Sequence, residues 1–204
     1  MNLDAVIVGL GNPGKAYLFT RHNIGFICLD VLAQDQRSSF TAPTKGLAKT
    51  CNAESAEISW DSKKCLLLKP QTFMNLSGES LRALYLEHPH LRQKPLIVVH
   101  DEVDIAFGKI RVKLGGGDAG HNGLRSLREC LGHGDYYRVR LGVGKPENSN
   151  EDLRDYVLGK FTKSDQPQLH NITQRAIQII HTLLEGDLLK AQSQASLEDI
   201  SPKT

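Results

Sequence analysis

Three apolar runs in this chain lead directly into residues suited to acyl chemistry. Asn12 follows Ala5 to Val8, Met74 and Asn75 follow Cys65 to Leu68, and Asp101 follows Leu96 to Val99. In open α/β sheets ligands sit in the crevice outside the carboxyl ends of the strands, so residues at these places are the first candidates for a site. His22 lies a short loop beyond Asn12, and His121 with Asn122 opens the helical pattern after the Gly-rich stretch. One end of a sheet thus gathers histidine, carboxylate and carboxamides. That set suits hydrolysis of an acyl bond by activated water. A neutral imidazole takes the proton, a carboxylate orients the imidazole and stabilises its cation, and amide N–H groups bind the oxyanion. Taken singly, an Asn beside a turn is a capping or Asx-turn group, and Asp101 is a turn residue or N-cap. For His88, His90, His133, His170 and His181 the structural or surface reading stands.

Other chemistries fit less well. GLGNPG at 9 to 14 matches GxGxxG by letter and follows a strand, but Pro13 interrupts the usual turn. The acidic residue expected about 20 positions on has only Asp30 and Asp35 as candidates, so a dinucleotide site is weakly supported. No GxxxxGK[ST] or GxSxG is present, which argues against a P-loop and a serine nucleophile. His22, Asp101 and His121 could ligate a metal, yet no HExxH-like spacing fixes their geometry, so a metal site is weakly supported.

The elements that must position these residues follow from the hydrophobic pattern. Strand-like runs alternate with helical periods, which predicts an α/β domain. Ile24, Ile27, Cys28, Val31 and Leu32 predict the first helix. Leu47 to Cys51 and Ile58 to Trp60 read as antiparallel strands, and Leu81, Leu84 and Tyr85 share a helix face. Ile110, Val112 and Leu114 alternate with Arg111 and Lys113, and Val139, Leu141 and Val143 alternate with Arg138, Arg140 and Gly142. Both read as strands with basic outward faces. Leu124, Leu127 and Leu131 mark a helix, and Ile172, Ala176, Ile179, Ile180 and Leu183 mark another that stops at Gly186. With 204 residues, the chain is expected to form one domain over 1–190 and a polar, frayed tail over 191–204.

Charge is distributed unevenly. Between Lys109 and Lys145 eight basic residues face three acidic ones, an excess of five that contrasts with a whole-chain charge of +2. Such a local excess is an electrostatic footprint for nucleic acid or, more simply, a solvated face. No apolar run reaches the ~18 residues of a membrane span. The start has no basic n-region, and Cys28, Cys51, Cys65 and Cys130 show no CxxC pairing. These features predict a cytoplasmic protein with reduced cysteines, no membrane association and, by default, a monomer.

Four segments, taken in order, resemble the bacterial-type peptidyl-tRNA hydrolase family: GLGNPGKAYLFTRHNIGF (9 to 26), KPQTFMNLSG (69 to 78), HDEVDIAFGKIRVKLGGGDAGHNGLRSL (100 to 127) and YYRVRLGVGKP (136 to 146). The resemblance implies a single-domain α/β fold with a twisted, mixed, mostly parallel sheet flanked by helices. It implies hydrolysis of the ester between peptide and tRNA, with water as nucleophile, no cofactor and no metal. His22 of TRHN matches the catalytic histidine, and Asp101 of HDE matches its acidic partner. Asn12, Asn75 and Asn122 match the carboxamides that position substrate and water, and Tyr17 and Met74 line the same crevice. Lys113 and Arg138 match positions that clamp the 5′ phosphate of tRNA, while Lys109, Arg111, Arg140 and Lys145 extend the basic track. Two residues depart from the family pattern. Ala106 replaces a common Pro and is expected to loosen a turn; Asp118 adds an acidic charge to the Gly-rich loop and is expected to lower tRNA affinity slightly. A non-catalytic RNA-binding protein on the same scaffold is the alternative.

Overall fold

Three apolar runs lie side by side at the centre of a six-stranded sheet in the computed structural model, which describes residues 2–146 and 152–197. They are β1 (Ala5–Gly9), β3 (Lys63–Pro70) and β4 (Leu96–Glu102). β1 runs parallel to both neighbours, with Ile7 opposite Leu67 on one side and Ile97 on the other. β6 (Tyr137–Gly142) continues the parallel sheet beyond β4, while β2 (Ala53–Trp60) and β5 (Ile110–Leu114) close its edges antiparallel. The order is β2-β3-β1-β4-β6-β5.

Both faces of the central strands are covered, which is why their sequences are nearly continuous in apolar residues. Ile7, Leu67 and Ile97 face α1 (Ile24–Asp35) and α6 (Gln166–Leu184). Val8, Leu68 and Val98 face α3 (Ser77–Glu87) and α4 (Asn122–Leu131). From β1 the chain moves out to the edge strand β2, returns through β3 beside β1, then crosses to β4 on the opposite side of β1. The strand order therefore reverses at β1, and the crevice of a doubly wound sheet opens at the carboxyl ends of β1 and β4. Two glycines bring α1 to that crevice. A Cβ on Gly25 would lie 2.4 Å from Val99 O and 2.6 Å from Leu10 O, and one on Gly9 would lie 2.5 Å from Gly25 O. The short approach to α1 is thereby pressed against the ends of β1 and β4.

Two expectations are corrected. Leu47 to Cys51 does not form a strand: Gly46–Thr50 is a short helix, α2, with Ala48 and Cys51 buried beneath it. A run of five residues with three apolar groups satisfies either period, and here the helical one packs. The tail is ordered past Ala191, because Leu188–Ser196 forms α7, capped by the Asp187 carboxylate on the Lys190 N–H. Ala191 and Ala195, four residues apart, are buried, and Gln192 Nε2 donates to Val112 O of β5 at 3.2 Å. An alanine stripe set among Gln and Ser carries little hydrophobic signal, so it reads as a polar tail. Residues 198–204 lie outside the described residues. Among the described residues no helix is long and apolar enough to cross a membrane.

Packing of α7 on the sheet edge predicts an asymmetry between neighbours. Ala191→Glu should lower unfolding free energy by roughly 1–3 kcal/mol through overpacking, whereas Leu189→Glu, at an exposed site, should stay within about 0.5 kcal/mol. Urea denaturation measures both; equal, small losses would contradict the packed helix.

Candidate active site

The crevice is organised around one buried carboxylate. Asp101, at the end of β4, is 3% exposed. His22 lies on the 3-10 turn Arg21–Asn23 that leads into α1, with Nδ1 2.9 Å from Asp101 Oδ1 and 3.0 Å from Oδ2. His121 is the N-cap of α4: its Nδ1 accepts from Gly123 N at 3.1 Å and Leu124 N at 3.4 Å. The His121 proton therefore resides on Nε2, which donates to Asp101 Oδ1 at 3.0 Å. By the same reasoning His22 donates through Nδ1 and keeps an unprotonated Nε2. One carboxylate thus fixes the tautomers of two imidazoles.

The electrostatics follow from this sharing. Burial alone would depress the His22 pKa, but the Asp101 charge and hydrogen bond outweigh it and hold the imidazole above its ordinary value. Burial likewise opposes ionisation of Asp101, yet His22 and then His121 hold its carboxyl well below the usual range. A third imidazole, His100, is buried beside them, and burial followed by the proximity of His121 pushes its pKa down to about 3. Neutral His100 donates from Nδ1 to Asp101 O at 2.7 Å and meets the His121 ring edge-on at 5.0 Å. Ligand atoms of His22, Asp101 and His121 lie within 4.8 Å of one another, the dimension of a metal site. In the hydrogen-bonded arrangement, however, the ring nitrogens facing the carboxylate carry protons and offer no lone pair.

Asn12 is fixed just as tightly. Its Oδ1 accepts from Met74 N at 2.8 Å, leaving Nδ2 as the donor for the cleft. Its backbone is clamped by the buried Asn23, which accepts from Asn12 N at 2.8 Å and donates to Asn12 O at 2.9 Å. Asn23 had not been anticipated as a site residue, although it belongs to the same TRHN segment as His22. Asn12, Tyr17, His22, Met74, Asn75, Asp101 and Asn122 all line one cleft of about 850 Å³. Tyr17 and Phe73 stand edge-to-face across 6.4 Å at this cleft. The remaining wall comes from Arg125 of α4 and from α5 (Leu153–Leu158), through Leu153, Arg154, Val157 and Leu158. Arg21 ties α5 to the His22 turn, with its guanidinium 4.4 Å from the Tyr156 ring centre and its backbone N–H donating to Gly159 O at 3.0 Å.

The basic residues divide into two kinds. Lys109, Arg111 and Lys113 are exposed on and before β5. Arg138, expected to point outward, is instead 3% exposed. The Gly-rich loop folds back over β6, and the Arg138 guanidinium donates to Gly116 O and Gly117 O and packs on the Tyr136 ring. Arg140 donates twice to Glu102 Oε2, at 3.1 and 2.9 Å, and Lys145 pairs with Asp104 at 2.6 Å. Asp118 is not an added surface charge: its carboxylate is buried and paired with Arg128. The turn at Ala106 is closed by Lys109 N on Ala106 O at 3.1 Å.

Comparison with known proteins agrees with this architecture. The family model described as peptidyl-tRNA hydrolase matches residues 6–203. The peptidyl-tRNA hydrolase of Nitratidesulfovibrio vulgaris is 43% identical over 198 residues, covering 94% of this chain and 96% of that protein. That of Geotalea daltonii is 42% identical over 195 residues, covering 96% and 97%. The crystal structure of peptidyl-tRNA hydrolase from Acinetobacter baumannii superposes with a TM-score of 0.85 at 29% identity, covering 97% of this chain and 98% of that one. With sequence and fold in agreement along nearly its whole length, the chain belongs to the peptidyl-tRNA hydrolase family of enzymes.

Proposed function

We propose that this enzyme cleaves the ester joining the C-terminal carboxyl of a peptide to the 3′ ribose oxygen of tRNA, using water as nucleophile and His22 as general base. The observation that carries the reading is the double hydrogen bond of His22 Nδ1 to the buried Asp101, which leaves Nε2 as a proton acceptor at the cleft. Nε2 takes a proton from water as the hydroxyl oxygen attacks the ester carbon. The imidazolium so formed is stabilised by Asp101, whose ionised state is supported by His121. Asn12 Nδ2, fixed by Met74 N, is placed to donate to the oxyanion or the attacking water. Collapse of the tetrahedral intermediate breaks the bond to the 3′ oxygen, which takes the proton back from His22. The products are a peptide acid, which releases its remaining proton to solvent to become the carboxylate, and a tRNA with a free 3′ hydroxyl.

Asn75 and Asn122, both exposed at the cleft, position the peptide backbone and the 3′ end, and Tyr17 and Met74 line the path. Lys109, Arg111 and Lys113 supply the track for the tRNA backbone, extended by Arg140 and Lys145. Lys113 is the phosphate ligand of this set, because its ammonium lies over Gly116, where a Cβ would be 2.7 Å from Nζ. Arg138 adds positive charge from beneath the same loop. Such contacts give affinity and position without reading sequence. All proton carriers in the scheme are side chains, so no metal is required.

Release of N-acetyl-amino acid from N-acetyl-aminoacyl-tRNA tests the reaction directly. Hydrolysis should resist a strong chelator, and His22→Ala should reduce turnover roughly 100- to 10,000-fold with tRNA affinity largely retained. Tight tRNA binding without hydrolysis would instead place the chain among RNA-binding proteins. The pH dependence provides a second test. His22 acts only when neutral, and Asp101 raises its pKa, so activity should fall on acidification through a pKa above about 6.5. Asp101→Asn removes the charge that favours the imidazolium and should both slow turnover and move that acid limb to lower pH. A limb left in place would reduce Asp101 to a structural turn residue.

A further inference from the structure

Two guanidinium groups in the cleft take no part in these steps. Arg125 lies on α4 one turn beyond His121, its backbone N–H donating to His121 O at 3.0 Å, and Arg154 lies on α5. Both are exposed, and both line the cleft that His22 and Asp101 also line. Among the described residues neither guanidinium makes an ion pair or a hydrogen bond. The anionic groups at the cleft are already engaged. Asp101 is held by His22 and His121, and Glu102 is held by Arg140. Next to Arg154, the Asp152 carboxylate accepts the Arg154 backbone N–H at 2.7 Å. Two of the charges lining the cleft are therefore unpaired guanidinium groups, a setting that attracts anions.

We propose that Arg125 and Arg154 form a clamp for the phosphate on the 5′ side of the terminal nucleoside, the one whose 3′ oxygen carries the ester. The proposal rests on the peptidyl-tRNA reading and names the part of that substrate nearest the reacting bond. On the acyl side of the ester, peptides offer amides and variable side chains. On the nucleoside side, a phosphodiester stands only a few covalent bonds from the reacting oxygen in every such substrate. It is the anion that the cleft can rely on. Guanidinium groups suit it, because paired N–H donors match phosphate oxygens. A grip on this phosphate is indifferent to base identity. It also fixes the ribose, and with it the ester carbon, relative to His22. The sequence holds no separate signal for the pair, since the two residues lie on different helices that become cleft walls only after folding.

Two short substrates test the clamp: the 3′-O-(N-acetyl-aminoacyl) ester of adenosine, and the same ester of adenosine bearing a 5′ methyl phosphate. Wild-type enzyme should show kcat/KM about tenfold or more higher for the phosphorylated ester, the size of one charge-assisted hydrogen bond. In the Arg125→Gln/Arg154→Gln double variant that ratio should fall to near one. Both positions are exposed and unpaired, so the variant should keep the wild-type Tm. A ratio retained in the double variant would overturn the clamp. So would a wild-type ratio near one, or failure to cleave the phosphorylated ester while N-acetyl-aminoacyl-tRNA is cleaved. Failure to cleave any of the three substrates would overturn the hydrolase reading, and the clamp with it.

Discussion

A buried carboxylate is tolerable only where hydrogen bonds replace the water it has lost. Asp101 meets that condition by accepting from two imidazoles whose positions are set by different parts of the chain. His22 arrives on the turn before α1, and His121 caps α4. The carboxylate at the end of β4 is thus the point at which the two sides of the sheet are joined. Removing either imidazole would leave the anion under-supported, and removing the anion would release both tautomers.

Close packing makes this convergence possible. Gly25 allows α1 to begin against the ends of β1 and β4, which brings His22 within hydrogen-bonding range of Asp101. Gly123 serves the other side, where a Cβ would be 2.6 Å from Met74 Sδ and 3.1 Å from His121 Cε1. Met74 in turn is bonded through its backbone to Asn12. The polar groups around the cleft are therefore positioned by rigid elements and by one another, which is the arrangement that preorganised electrostatic stabilisation requires.

Much of this was legible before any coordinates. Apolar runs that end in polar residues marked β1, β3 and β4, and the rule for doubly wound sheets then pointed to Asn12, Asn75 and Asp101. Helical periods marked α1, α4 and α6. What escaped detection depends on long-range packing. Arg138 alternates like an outward-facing residue, but the loop that covers it is defined only by the folded return of residues 115 to 120. Asn23 looks like any polar residue at a helix start until its amide is seen bridging the Asn12 backbone. The alanines of α7 carry too little hydrophobic weight to register, although at the sheet edge they pack as a stripe. Arg125 and Arg154 are ordinary surface cations in sequence and become cleft residues only when α4 and α5 form the walls.

The arrangement makes a definite statement about where protons reside. Nitrogen-15 NMR of the histidine rings at about pH 8 reads this directly, with His22→Asn and His121→Asn variants providing the assignments. His22 should carry its proton on Nδ1 and leave Nε2 unprotonated, and His121 should show the opposite tautomer, with the proton on Nε2. A His22 ring protonated on Nε2 in the resting enzyme would contradict the proposal that His22 is the base and the shared carboxylate on which that proposal depends.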